Sequence, residues 1–151
     1  MNNFEYIEEL LYTYKKRDKV LKQFDLDIQE IKLRYLDGGV RGIDYSSDVV
    51  QTSNIGSSVE QQVLKAEREV EKLLKAKALR EIHYSKLELA LQDLTDVEEK
   101  ILEYKYFRNY YTWNTVSRSI GLNRTSCIDY RNKLITRIIK EYNIKLNEEE
   151  E

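Results

Sequence analysis

Residues 112–142 read TWNTVSRSIGLNRTSCIDYRNKLITRIIKEY, and this stretch contains the start and stop signals of two consecutive helices. Thr112 is a good N-cap for a short helix over 113–120, and Gly121 supplies the left-handed backbone that ends it. Asn123 caps a second helix that is predicted over 124 to about 142. A short helix, a tight glycine-containing turn and a longer basic helix are typical of a helix-turn-helix.

Apolar residues of this stretch fall where the two predicted helices must touch. The expected inward face consists of Val116, Ile120, Leu122, Cys127, Tyr130, Leu134 and Ile138. The fifth position of the motif, where the helices cross closely and alanine is usual, is Ser117, which is small enough to fit. Its inward position makes Cys127 a small buried hydrophobic residue and not a nucleophile.

The motif also predicts which residues face duplex DNA, because the start of its second helix enters the major groove. The residues expected at base edges are Arg124, Thr125, Ser126, Ile128, Asp129, Arg131 and Asn132. Arg124 suits a bidentate pair with guanine, and Asn132 suits one with adenine. The residues expected at phosphates are Lys105, Arg108, Arg118, Lys133 and Arg137. Solvated surface is the plain alternative for each of these cations.

Residues 93–111 predict a helix of about three turns in front of the motif, with Thr95 as its N-cap and acidic residues in its first turn. Arg108 and Asn109 are expected to end it. The aromatic residues of this region are Tyr104, Tyr106, Phe107, Tyr110, Tyr111 and Trp113. Such residues can stack on single-stranded bases. Their place between two helices of a small domain favours core packing, with some tyrosine hydroxyls reaching phosphates.

Two apolar seams with alternating spacings of three and four residues precede this region, and each is typical of a long helix that packs one stripe against a partner. The first predicted helix, over about 3–35, carries Ile7, Leu10, Tyr14, Arg17, Leu21, Phe24, Ile28, Ile31 and Tyr35. The second carries Val59, Val63, Ala66, Val70, Leu73, Lys77, Arg80, Tyr84, Leu87, Leu91 and Leu94.

Charged residues interrupt both seams. At Lys77 and Arg80 the second seam is expected to shift toward Leu74, Ala78 and Ile82. Ser57 or Ser58 is the expected N-cap of this second helix, with Glu60 or Gln61 completing a capping box.

The scarcity of helix breakers predicts an all-α fold. Proline is absent, and four of the five glycines lie within residues 38–56. We predict a long N-terminal helical hairpin or coiled coil in 1–92 with a loop over 37–58. A C-terminal sigma-like helix-turn-helix domain in 93–146 and an acidic tail in 147–151 follow it. A lone hairpin leaves apolar surface exposed, so pairing of two copies as a homodimer through the same seams is an equal expectation.

Charge is unevenly distributed in a chain whose formal net charge is -2. Residues 104–145 hold nine basic residues and two acidic ones, a net charge of +7, which is the footprint of a phosphate-binding surface. The single cysteine excludes an internal disulfide and argues against a cysteine-based metal site. His83 is expected at the surface. No nucleophile, phosphate-loop or metal-ligand motif is found, so neither an enzyme nor a cofactor is expected.

The N-terminus is polar and no stretch is apolar enough to span a bilayer, so a cytoplasmic location away from membranes is expected.

A resemblance covers about a third of the chain. The segments LTDVEEKIL (94–102) and WNTVSRSIGL (113–122), with the helix after Asn123, resemble the C-terminal promoter-reading region four of bacterial sigma factors. The whole layout is similar to small phage and prophage transcriptional regulators of the RinA and ArpU type. The loop GGVRGIDYSSD (38–48) and the segment SSVE (57–60) are similar to their Gly/Ser-containing loop.

The resemblance implies an activator of phage late genes that acts at or upstream of a promoter in the bacterial host and contacts RNA polymerase. The core-binding and promoter-melting regions of sigma factors have no counterpart here, so a complete sigma factor is not expected. Two other interpretations stay open. One is a small terminase subunit that recognises phage DNA for packaging as a ring of many copies. The other is a structural adaptor whose C-terminal domain binds protein.

Overall fold

In the computed structural model, residues 1–36, 53–110 and 112–146 are described, with side chains in the second range described from residue 58 onward. These residues form helices and connecting turns and contain no strand, which confirms the all-α prediction. The α-helices are α1 (Asn3–Thr13), α2 (Arg17–Ile31), α3 (Ser53–Leu91), α4 (Asp96–Ile101), α5 (Trp113–Ile120) and α6 (Arg124–Tyr142). Tyr14–Lys16 form a 3-10 turn, and Lys32–Leu36 and Leu102–Phe107 are π-helical.

The single helix predicted over 3–35 is divided at the 3-10 turn between α1 and α2. At this point the Thr13 hydroxyl bonds back to the carbonyl of Glu9 (2.9 Å), an arrangement that often bends helices. The same hydroxyl lies 2.7 Å from that of Tyr84. Arg17, which interrupts the apolar seam, donates instead to the Tyr14 carbonyl (3.0 Å). Polar bonds of Thr13 and Arg17 therefore accompany the break, while the seam residue Tyr14 stays buried.

Helix α3 begins earlier than the sequence analysis predicts. It begins at Ser53, so Ser57, Ser58, Glu60 and Gln61 lie within the helix and do not cap it. The rest of the loop predicted over 37–58, residues 37–52, lies outside the described residues, as does the acidic tail over 147–151.

The second seam does not shift. Leu74 is 49% exposed and Ile82 is 51% exposed, and Ala78 is exposed as well. Lys77 keeps its place on the seam, where it is half-buried and forms an ion pair with Asp25 of α2 (2.7 Å). A charged residue is tolerated there because its partner compensates for the lost hydration.

The chain divides into two compact units at positions other than the predicted boundary near residue 92. One unit combines Met1–Arg17 with the chain from Ile82 onward, and the other is Asp18–Glu81. In the second unit, Ile28, Ala66 and Val70 are buried. In the first, α1 contacts both α6 and the π-helical segment after α4, so residues far apart in sequence share one core.

The core of the first unit is apolar and draws on every helix of that unit. Its buried hydrophobic residues are Tyr6, Ile7, Leu10, Leu11, Tyr14, Tyr84, Leu87, Ala90, Ile101, Leu102, Tyr106, Val116, Cys127, Leu134, Ile135, Ile138 and Ile144. The C-terminal end of the described chain also meets α1, because Leu146 N–H donates to Asn3 Oδ1 (3.1 Å).

Every helix in the described part of the chain is too short or too polar to cross a lipid bilayer.

Candidate nucleic-acid interface

Helices α5 and α6 contact each other and are joined by a three-residue turn. Thr112 caps α5 by accepting from Thr115 N–H (3.2 Å), and Asn123 caps α6 by accepting from Ser126 N–H (2.7 Å). Gly121 ends α5 with φ +86°, in the left-handed region. The bounds and caps of both helices agree with the sequence prediction.

One side of α6 packs into the core. Cys127, Leu134 and Ile138 are buried as predicted, and Val116 of α5 is buried opposite them. Ile120 and Leu122 are half-buried.

Tyr130 is a correction to the predicted inward face, because it is 44% exposed. The inward stripe continues four residues after Cys127 through Arg131 and Ile135, so Arg131 occupies the place predicted for the tyrosine.

The opposite side of α6 is polar and open to solvent. Thr125, Asp129, Asn132 and Thr136 are all exposed and recur at spacings of four and three, so they form one stripe along the helix. Arg124, the first residue of α6, is exposed beside them. Ser126 and Ile128, also predicted at base edges, are half-buried. The structure therefore brings most of the predicted base-contacting residues to one accessible face.

Arg131 is engaged within the protein and lies beside that face, where its Nε donates to Asn132 Oδ1 (2.8 Å). Its Nη1 donates to Glu8 Oε2 of α1 (3.1 Å) and to the Tyr106 hydroxyl (3.2 Å). Its guanidinium carbon lies 5.2 Å from the Phe4 ring centre and 4.9 Å from that of Trp113.

This cluster was missed by sequence reasoning, because Glu8 stands 123 residues before Arg131 and no spacing rule connects them. Its side chains are largely shielded, with 14% of Arg131 and 24% of Glu8 exposed. Arg131 is thus a structural contact of α1 with α6.

Three of the five predicted phosphate contacts have partners inside the protein. Lys105 Nζ lies 5.1 Å from the Trp113 ring centre, and burial together with the nearby Arg131 lowers its pKa. Arg108 pairs with Glu103 (3.0 Å). Arg137 pairs with the buried Glu98 of α4 (3.0 Å).

Burial alone would raise the pKa of the Glu98 carboxyl. Hydrogen bonds from Thr95 and Arg137 outweigh it and leave that pKa below its usual value.

Arg118, Arg124 and Lys133 remain as predicted contacts with accessible charge. All three are exposed, and none forms an ion pair with a residue in the ranges that the structure describes. Arg118 lies in the last turn of α5, and Lys133 lies beside the polar stripe of α6. These side chains are free to meet an anionic partner.

The aromatic residues before α5 are mainly packing elements. Tyr106 is 1% exposed and donates to Glu8 Oε2 (2.9 Å), and its burial raises the pKa of its hydroxyl far above the usual value. Tyr104 stacks on Tyr110 at 5.5 Å. Phe107 and Trp113 are half-buried, and Tyr111 lies outside the described residues. The burial of Tyr106 agrees with the predicted role in the core, and the other four described aromatic residues are half-buried.

Neither Cys127 nor His83 is placed for surface chemistry. Cys127 is buried as predicted, and burial raises the pKa of its thiol. His83, predicted at the surface, is 3% exposed, and its Nδ1 lies 2.6 Å from the Tyr6 hydroxyl of α1. That buried hydrogen bond explains why His83 lies in the core and not at the surface as predicted. Within the described ranges, no group of three or more His, Cys, Asp or Glu residues is arranged to hold a metal ion.

Comparisons of the chain with family models, with curated proteins and with solved structures found no match.

Proposed function

We propose that this protein is a sequence-specific regulator of transcription that binds duplex DNA through a helix-turn-helix formed by α5, the turn and α6. The observation that carries the proposal is the division of α6 into a buried apolar side and an exposed polar stripe that begins at its first turn. A recognition helix needs both, because one side packs against its own domain while the start of the other reads base edges.

The exposed residues offer suitable chemistry for base recognition. Arg124 carries the planar donor fork that pairs with the N7 and O6 atoms of guanine. Asp129, one turn further along α6, suits the N4 amino group of cytosine. Thr125, next to Arg124, suits a base edge or the thymine methyl group.

The accessible cations supply the electrostatic part of binding. Arg118 in the last turn of α5 and Lys133 next to Asn132 in α6 are exposed, and residues 104–145 carry a net charge of +7. Phosphate contacts position a protein on the duplex without reading its sequence. Lys105, Arg108 and Arg137 contribute more weakly in this proposal, because each already has a partner within the protein.

The finer features of the proposal come from the resemblance to region four of sigma factors and to RinA- and ArpU-type regulators. They comprise activation of phage late genes and contact with RNA polymerase. The apolar seams add a long helical hairpin and pairing of two copies to the proposal, and the polar N-terminus adds a cytoplasmic location. The ion pair between Lys77 and Asp25 favours the hairpin, because it joins α2 to α3 within the second unit.

Binding-site selection from a random duplex library tests the proposal. We expect the full chain to enrich one defined sequence, and we expect Arg124→Ala to weaken binding to it by about 1–3 kcal/mol. Arg34→Ala is the matched control, because Arg34 lies in the other unit and its ion pair within the described residues is with exposed Glu30 (3.1 Å). Recovery of no preferred sequence would contradict the proposal.

Salt dependence and solution mass separate the proposal from its alternatives. A protein that contacts several phosphates weakens steeply with rising salt, and Lys133→Ala should reduce the slope of log K against log salt by about one. An affinity that does not change with salt would favour the protein-binding adaptor. Light scattering that gives eight or more chains per particle would favour the terminase subunit.

A further inference from the structure

The hydrogen bonds of Arg131 determine which atoms of Asn132 remain available to DNA. Arg131 Nε donates to Asn132 Oδ1 (2.8 Å), while Nη1 of the same guanidinium is held by Glu8 and Tyr106. A guanidinium carries only donors, so the amide must present its oxygen to it. One of the two lone pairs of Oδ1 is then occupied, while both hydrogens of the amide nitrogen Nδ2 remain available to a partner.

This orientation is held from several sides. The planar guanidinium contacts the Phe4 and Trp113 rings, and Glu8 Oε2 accepts from it at 3.1 Å. Only 14% of the Arg131 side chain is exposed. Asn132 itself is exposed on the polar stripe of α6, next to Asp129. A shielded arginine therefore positions an accessible amide.

The two purines require different faces of an asparagine amide. A bidentate pair with adenine needs the amide oxygen to accept from N6 while the nitrogen donates to N7. Guanine presents two acceptors, N7 and O6, and needs only donors. An amide whose oxygen has already given one lone pair to a charge-assisted bond from Arg131 keeps two free donors and one free acceptor site, and this balance favours guanine over adenine.

We propose that Arg131 is a positioning residue that makes Asn132 a hydrogen-bond donor to guanine in the major groove, in place of the adenine contact expected from sequence. This inference rests on the proposed DNA-binding function and specifies which base it reads at one position. Arg131 itself contacts no base.

Binding-site selection with three variants of the full chain tests this role. Asn132→Ala identifies the base pair that Asn132 reads: it is the position of the selected site at which the variant loses the base preference of the wild type. We expect guanine there in the wild type, with a preference of roughly fivefold, since a single hydrogen bond contributes about 1 kcal/mol. Arg131→Lys keeps a cation for Glu8 but removes the Nε donor, and we expect the guanine preference at that position alone to fall to parity or pass to adenine. Arg34→Lys is the control and leaves every position unchanged.

The outcomes separate the inference from the function. Adenine at the Asn132 position of the wild type, no position altered by Asn132→Ala, or an unchanged guanine preference in Arg131→Lys would each overturn the inference while leaving DNA binding intact. Failure of the wild type to select any sequence would overturn the proposed function itself. Asn132→Ala changes only an exposed side chain, so the identity of the base stays testable even if Arg131→Lys does not fold.

Discussion

Gly121 shows how one residue determines the geometry between two helices. Its φ of +86° lies in the left-handed region, and a Cβ built there would meet no heavy atom within 4 Å. The requirement for glycine is therefore one of backbone conformation and not of space. The turn that follows α5 depends on this single position.

Replacement of Gly121 should accordingly cost backbone strain alone. We expect Gly121→Ala to lower the free energy of unfolding by about 1–2 kcal/mol, because alanine disfavours the left-handed region. Gly121→Asn is the matched control and should cost less, since asparagine tolerates this conformation. Urea denaturation of the three proteins measures the difference. Equal losses for alanine and asparagine would show that the strain is not the cause.

Tyr106 makes a pH-dependent contribution that can be measured at alkaline pH. Its burial raises the pKa of the folded protein's hydroxyl well above the ordinary value of about 10. The unfolded chain releases this proton first as pH rises, so the stabilisation is complete below about pH 10 and is lost above it.

We expect wild-type stability to fall above about pH 10 by up to 1.4 kcal/mol per pH unit more than that of Tyr106→Phe, which cannot titrate. At neutral pH we expect the wild type to be the more stable protein, because the variant lacks the hydrogen bond to Glu8. Denaturation curves collected between about pH 8 and 12 test the sign. Tyr130→Phe, which removes an exposed hydroxyl, is the control, and parallel curves for wild type and Tyr106→Phe would contradict the expectation.

At the scale of the element, the start of α4 is a reciprocal capping box. Thr95 N–H donates to Glu98 Oε1 (3.0 Å), and Glu98 N–H donates to Thr95 Oγ1 (3.3 Å). The other oxygen of Glu98 accepts from Arg137 of α6 (3.0 Å), so this cap also connects two helices.

Loss of that cap should lower the stability of the folded protein and not only fray the first turn of α4. We expect Thr95→Ala to lower the free energy of unfolding by about 1 kcal/mol, the usual effect of removing an N-cap hydroxyl. Thr95→Ser retains the hydroxyl and should retain most of the stability. Thermal and urea unfolding compare the two variants, and a serine variant as unstable as the alanine one would assign the effect to the lost methyl group.

Elements that are determined by local signals could be predicted from the sequence, and those determined by distant contacts could not. The caps Thr112 and Asn123 and the glycine between them gave the bounds of α5 and α6, because a cap acts within three residues. The break before α2 involves Thr13 and Tyr84, which are 71 residues apart. A seam pattern contains no information about such a contact.

The same difference between local signals and distant contacts applies to the residues of the candidate site. Exposure of Arg124 and Asn132 follows from helical periodicity, since both lie away from the buried stripe of α6. The engagement of Arg131 follows from Glu8, a residue of α1 that the seam assigned to another domain. Tyr130 and Arg131 both fit the helical period after Cys127, and Tyr130 is predicted inward because an apolar side chain is the usual choice for a core.

At the scale of the whole molecule, α1 belongs to the same compact unit as the proposed DNA-binding helices. Leu10 and Leu11 are fully buried in that unit together with Leu134 and Ile135 of α6. The Glu8–Arg131 ion pair and the bond from Leu146 N–H to Asn3 add polar contacts of α1 with α6 and with the chain after it. The N-terminal helix is therefore part of the core that supports α6.

A substitution in α1 should thus destabilise α6. We expect Leu10→Ala to lower the free energy of unfolding by about 2–5 kcal/mol, the range for a fully buried leucine. Amide exchange of residues 134–138 in α6 should accelerate by at least about thirtyfold, because 1.4 kcal/mol corresponds to a factor of ten. Leu26→Ala is the matched control: Leu26 is 46% exposed in the other unit, so its loss should change stability by less than about 0.5 kcal/mol. If the amides of α6 kept their protection in Leu10→Ala, residues 93–146 would fold without α1, and the domain boundary predicted from the sequence would describe the protein better than the shared core does.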